Sequence, residues 1–125
     1  MESSQSLIHY ILGPCVHSRP LVTAVDILMS YLSAPDFDLQ SIAMHRDIYP
    51  KVAVQLSINP ISISKTVDRL AKCCWGAMIS EGLCNEIIGR TPSKSPKTLE
   101  MVFYLAYFSF YRKPYFEQSI FKSKA

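Results

Sequence analysis

Glycine is scarce in this chain, four residues in 125. None of them builds a Gly-x-x-x-x-Gly-Lys or Gly-x-Gly-x-x-Gly loop, so the usual backbone cradles for nucleotide phosphates are missing. His-Glu-x-x-His and Gly-x-Ser-x-Gly are missing too. The carboxylates stand singly; neither Glu81 nor Glu86 has a second acid placed for acid/base work, and both read as surface charges. Neither an enzymatic activity nor a cofactor is expected. The four cysteines, Cys15, Cys73, Cys74 and Cys84, form no Cys-x-x-Cys pair, and on a helix adjacent Cys73 and Cys74 point about 100° apart. Reduced core thiols are expected in place of a zinc site or disulfide frame. The histidines, His9, His17 and His45, fall in different predicted elements. No apolar run reaches the ~20 residues of a membrane span, and the start, Met1-Glu2-Ser3-Ser4, lacks a basic secretory stretch. A cytoplasmic chain without membrane contact is the expectation.

What the chain does have is apolar residues, 49% against 18% charged, which excludes disorder and suits one domain that buries about two thirds of its unfolded surface. Charge is unevenly placed. Residues 1–50 hold two basic and five acidic side chains, residues 51–125 eleven and five. The basic surplus suggests a side that faces a polyanion, with a solvated basic tail as the plainer explanation.

The periodicity is helical throughout. Leu7, Ile8, Ile11 and Leu12 predict a first helix over residues 4–12, stopped by Gly13-Pro14. Pro20 opens a second helix that runs to Leu32, apolar on most sides and therefore expected near the centre. Asp38 can cap a third around Leu39, Ile42 and Ala43, and the turn near Asp47 can kink that helix into Tyr49-Pro50. Leu83 to Ile88 supply one or two turns, Arg90 to Lys97 a surface loop, and Pro96 or Lys97 to Tyr111 a final helix hydrophobic almost all round. That last helix is either central to the core or partly an oligomer interface. The expectation is an all-α bundle of about six helices over residues 1–111, with residues 112–125, including Tyr115, Phe116, Ile120 and Phe121, as an amphipathic extension.

The stretch with most to say is Asn59 to Met78. Asn59 suits an N-cap and Pro60 the first helical position. At helical spacing Ile63, Val67, Leu70, Ala71, Cys74 and Met78 share one face with Trp75 at its edge, while Ser62, Lys65, Arg69 and Lys72 share the opposite face. Such a stripe can be a solvated face. Ahead of it, however, Tyr49 to Leu56 reads as a short helix with Val52, Ala53 and Leu56 inward, followed by the turn Ser57-Ile58. A short helix, a tight turn and a longer helix with a polar, cationic outer face form a helix-turn-helix pattern, in which the second helix enters the DNA major groove.

Leu7-Ile8-His9, Tyr49-Pro50, the capped helix ending in Trp75, Gly89, and Pro96 followed by Glu100 together resemble the C-terminal DNA-binding domain of the stage zero sporulation protein A response regulators. The likeness covers about residues 6–110 and runs without a gap from Tyr49 to Trp75 and from Pro96 to Ala106. It implies a six-helix domain that reads DNA with the helix from Pro60 onward, two copies lying head to tail on tandem sites. The family places arginine, glutamate, arginine, arginine and histidine where this chain has Ser62, Ser64, Lys65, Asp68 and Arg69. Ser62 cannot make an arginine-to-guanine fork, and Asp68 repels phosphate unless it accepts from a cytosine amino group. The resemblance therefore does not by itself imply the family's usual DNA sequence for this chain. No receiver domain lies within these residues to supply a phosphorylation switch.

The expected function is duplex DNA binding by a bacterial transcription regulator. Lys65 and Arg69 are assigned to base edges or adjacent phosphates, Ser62 and Ser64 to lesser hydrogen bonds, and Lys51, Lys72, Arg90 and Lys94 to the backbone. Partners would be duplex DNA, a second copy and RNA polymerase. The alternative is a relative that keeps the fold as a protein-interaction module, pairing through the aromatic final helix; Asp68 on the reading face favours it.

Overall fold

The computed structural model describes residues 4–13 and 17–116, and every regular element among them is helical. Six α-helices occur: α1 Ser4–Leu12, α2 Arg19–Leu32, α3 Tyr49–Leu56, α4 Pro60–Glu81, α5 Cys84–Ile87 and α6 Thr98–Tyr111. They pack as an all-α bundle. Helix α2 buries Leu21, Ala24, Val25, Ile27, Leu28 and Leu32, and touches α1, α3, α4 and α6. Its apolar pattern, unbroken on most sides, is what a central position requires. Ser4, buried at the start of α1, donates its hydroxyl to the Asp26 carboxylate of α2, so that buried polar group is satisfied.

The segment between α2 and α3 differs from expectation. Asp38 does cap, accepting from the Gln40 amide at 3.1 Å, but the helix expected around Leu39, Ile42 and Ala43 is a single 3-10 turn, Leu39–Ser41. Ile42 and Ala43 are extended. Side chains have taken the backbone groups a longer helix would use: Ser41 Oγ bonds the Asp38 carbonyl at 2.7 Å and the Arg46 guanidinium the Ser41 carbonyl at 2.5 Å. A wide π-type turn, Met44–Ile48, then runs into α3, with the Tyr49 amide bonded to the Met44 carbonyl. Pro50 has no N–H for an α-helical bond to Arg46, which is where the ladder takes its wider form. Asp47 accepts from the Ala43 amide at 2.8 Å and pairs with Arg46 at 2.9 Å, and these contacts hold its carboxyl below the ordinary range.

Helix α6 is central. Met101, Val102, Leu105 and Ala106 are buried, and the helix packs on α2 and α4. Its aromatic side is covered by the chain itself: Phe37 stacks on Phe103 with ring centres 6.2 Å apart, and Tyr115 lies 5.0 Å from Phe103 and 5.2 Å from Tyr107. Of its aromatic residues only Phe110 and Tyr111, at its end, are exposed. Residues 112–116 fold back onto the bundle, Phe116 donating to the Ile88 carbonyl at 3.0 Å. The expected amphipathic extension is thus described only in this packed first part; Ile120 and Phe121 lie outside the described residues.

Of the cysteines expected in the core, Cys74 and Cys84 are buried and Cys73 is exposed. Cys73 stands about 100° round the helix from Cys74, which carries it off the buried face and beside the exposed Lys72. Cys15 lies outside the described residues.

Candidate nucleic-acid interface

Three residues, Ser57, Ile58 and Asn59, join α3 to α4. Ser57 adopts the left-handed conformation at φ 56°, and the Ile58 amide returns to the Ala53 carbonyl at 3.1 Å, closing α3. Asn59 is extended and its side-chain oxygen accepts from the Ile61 amide at 2.8 Å. With Pro60 next, the start of α4 is fixed on both sides of the cap. Gly82, at φ 68°, ends the helix.

Between those ends α4 divides along its length. Ile63, Val67, Leu70, Ala71, Cys74 and Met78 are all buried, each of the larger ones contributing about 1.5–3 kcal/mol of transfer free energy. Ser62, Lys65, Arg69 and Lys72 are all exposed. The outer row is covered by no other described part of the chain.

Ser64 and Asp68 border this row and are half-buried. Ser64 Oγ donates to the Ile61 carbonyl at 2.9 Å, which leaves its oxygen as an acceptor only. Asp68 accepts from the Thr98 hydroxyl at the start of α6 and faces Lys72 Nζ at 3.3 Å. The Thr98 hydrogen bond holds its carboxyl below the usual range, partial burial works against this, and Lys72 adds to the lowering. The Asp68 acceptors expected for a cytosine amino group are thus engaged within the protein. The same charge, added to burial as the main cause, raises the Tyr49 hydroxyl. Met44, His45, Tyr49, Ser64, Lys65, Asp68 and Thr98 line a shallow cleft of about 480 Å³ beside α4.

The remaining basic residues stand apart. Lys51 on α3 is exposed, its ammonium 4.7 Å from the centre of the Tyr31 ring. Arg90 lies with its guanidinium 3.9 Å from the centre of the Phe116 ring, and Lys94 is exposed in the loop that leads to α6. The structure therefore brings Ser62, Ser64, Lys65, Asp68, Arg69 and Lys72 together on one helix and leaves Lys51, Arg90 and Lys94 on other segments. Sequence reasoning missed Thr98, which nothing local marks as the partner of a residue 30 positions away. It also passed over Ile61, four residues ahead of Lys65, which a helical projection alone places on the outer side.

Among the described residues no group of three His, Cys, Asp or Glu could hold a metal ion, and no helix is long and apolar enough to cross a membrane. No protein-family profile, curated protein or solved structure matches the chain.

Proposed function

We propose that this chain binds duplex DNA through α3, the three-residue turn and α4, acting as a transcription regulator in the bacterial cytoplasm of the kind its sequence resembles. The observation that supports this reading is the open row on α4, with Ser62, Lys65, Arg69 and Lys72 all exposed. A helix-turn-helix presents the outer face of its second helix to the major groove, and exposed cations there meet base edges and flanking phosphates. Lys65 and Arg69 take those contacts, Ser62 and Ser64 add hydrogen bonds near the helix start, and Lys51, Lys72, Arg90 and Lys94 serve the backbone. A second copy lying head to tail, and RNA polymerase, are the further partners of this reading.

The test is a fluorescence anisotropy titration of a labelled random duplex at two salt concentrations. With about four phosphates neutralised, counterion release weakens binding on the order of 10²-fold between 50 and 200 mM salt. Affinity that ignores salt, or no binding at 50 mM, overturns the proposal.

A second reading, a protein-interaction module of the same fold, is favoured by the engagement of Asp68 with Thr98 and Lys72 and by the exposed Phe110 and Tyr111 at the end of α6. It predicts self-association in sedimentation velocity without DNA, reduced by Phe110→Ser.

A further inference from the structure

The first turn of α4 carries a side chain used neither by the fold nor by the charge pattern. Ile61 is the second residue of the helix and 66% exposed. It belongs neither to the buried core nor to the apolar residues packed against it. Its backbone is held at both groups, the amide by Asn59 Oδ1 at 2.8 Å and the carbonyl by Ser64 Oγ at 2.9 Å. The side chain is thus presented to solvent from a pinned backbone. Two residues on, Ile63 is 1% exposed, so the same helix turn has one isoleucine inside and one outside.

The position of Ile61 sets its context. It stands four residues before Lys65 and eleven before Lys72, close to one and three whole turns, so it heads the exposed cationic row. Val54 on α3 and Ile58 in the turn are exposed as well, at 79% and 42%. Where α3 gives way to α4, three aliphatic side chains are therefore exposed among the polar Gln55, Ser57 and Asn59, and the exposed row becomes cationic further along α4. A protein partner would have to bury the isoleucine beside Lys65 and Arg69, and beside Lys72, which is paired with Asp68 at 3.3 Å, whereas interface cores are depleted of charge. A polyanion with an apolar group at the corresponding place meets both parts of the row.

Duplex DNA carries such a group. Along the major groove the base edges are hydrogen-bonding atoms except for one apolar substituent, the thymine C5-methyl. Residues at the start of the second helix stand closest to the bases. We infer that Ile61 is a specificity-determining residue that packs on a thymine C5-methyl and so selects an A·T pair at the position read by the first turn of α4. The inference rests on the DNA-binding reading above. An isoleucine offers no hydrogen bond, so it distinguishes base pairs by the methyl alone.

The test separates the two ideas. Preferred duplexes are selected from a random library with the intact chain, and each thymine is then replaced in turn by deoxyuridine, which removes the methyl and leaves every hydrogen-bonding atom in place. The expected result is a loss of about fourfold at one or two positions, the worth of one buried methyl, and unchanged affinity elsewhere. Ile61→Ser abolishes the thymine–uracil difference while the salt dependence stays, and Ile61→Val retains most of it; circular dichroism checks that both variants keep their helicity. Indifference to uracil at every position, a selection that enriches no thymine, or an Ile61→Ser variant that still distinguishes the two bases overturns the inference and leaves DNA binding standing. Absence of salt-dependent binding to any duplex overturns both.

Discussion

The backbone of Phe116 lies where a side chain on Gly89 would begin: a β-carbon at position 89 would fall 2.8 Å from the Phe116 carbonyl carbon and oxygen. Gly89 is also at φ 100°, a conformation that side-chain-bearing residues rarely adopt. Gly89→Ala should therefore destabilise the domain by about 2–4 kcal/mol, combining backbone strain with overpacking. Urea unfolding followed by circular dichroism measures it; a midpoint equal to that of the unsubstituted chain would show that the Phe116 segment does not hold its place on the bundle.

Thr98→Val removes the donor that does most to lower the Asp68 carboxyl. A carboxyl depressed in the folded chain stabilises it above the unfolded value, about 3.9, and that stabilisation is lost as pH falls through the folded value. The variant should therefore be less stable than its parent at pH 7, with the gap narrowing below pH 4. Unfolding midpoints across pH 3–7 check this, and a gap that does not change with pH would place the role of Thr98 elsewhere.

Charge on the open row can be altered in both directions. Lys65→Ala with Arg69→Ala should abolish duplex binding and leave helicity intact, because both side chains are exposed. Asp68→Asn keeps an acceptor for Thr98 and removes the negative charge beside Lys72, so it should tighten binding several-fold at low salt. Anisotropy titration reads both. An affinity unmoved by the double substitution would remove Lys65 and Arg69 from the interface.

Cys73 and Cys74 should differ sharply as nucleophiles although they are neighbours. Burial pushes the Cys74 thiol up to about 12, with a smaller contribution from Cys73, whereas Cys73 is exposed. At pH 8 iodoacetamide should label Cys73 and leave Cys74 and the buried Cys84 untouched in the folded chain. Peptide mass spectrometry before and after urea distinguishes the sites; prompt labelling of Cys74 without urea would mean that α4 opens locally.

Much of this fold is legible in the sequence, for a physical reason that can be named. The buried face of α4, from Ile63 to Met78, follows from helical spacing alone, and its start and stop follow from Asn59-Pro60 and Gly82, because each of these acts within a turn of the chain. The segment from Asp38 to Ile48 is not legible in that way. Its apolar spacing suits a helix, but bonds from the side chains of Ser41 and Arg46 decide the backbone. The Asp68–Thr98 hydrogen bond and the seating of Phe116 against Gly89 join segments distant in sequence, and periodicity carries no information about them. In the candidate site the cations were legible as a row, whereas the engagement of Asp68 emerges only when α6 is brought beside α4.

Helix α4 sets Ile63, Val67, Leu70, Ala71, Cys74 and Met78 against its neighbours and turns Ser62, Lys65, Arg69 and Lys72 away from them. Replacements on that outward side leave the interior as it was, at a typical cost within about 0.5 kcal/mol. A scaffold of this form can be readdressed by a few substitutions and inherit its stability unchanged, so that what it recognises and how firmly it folds are free to evolve at separate rates.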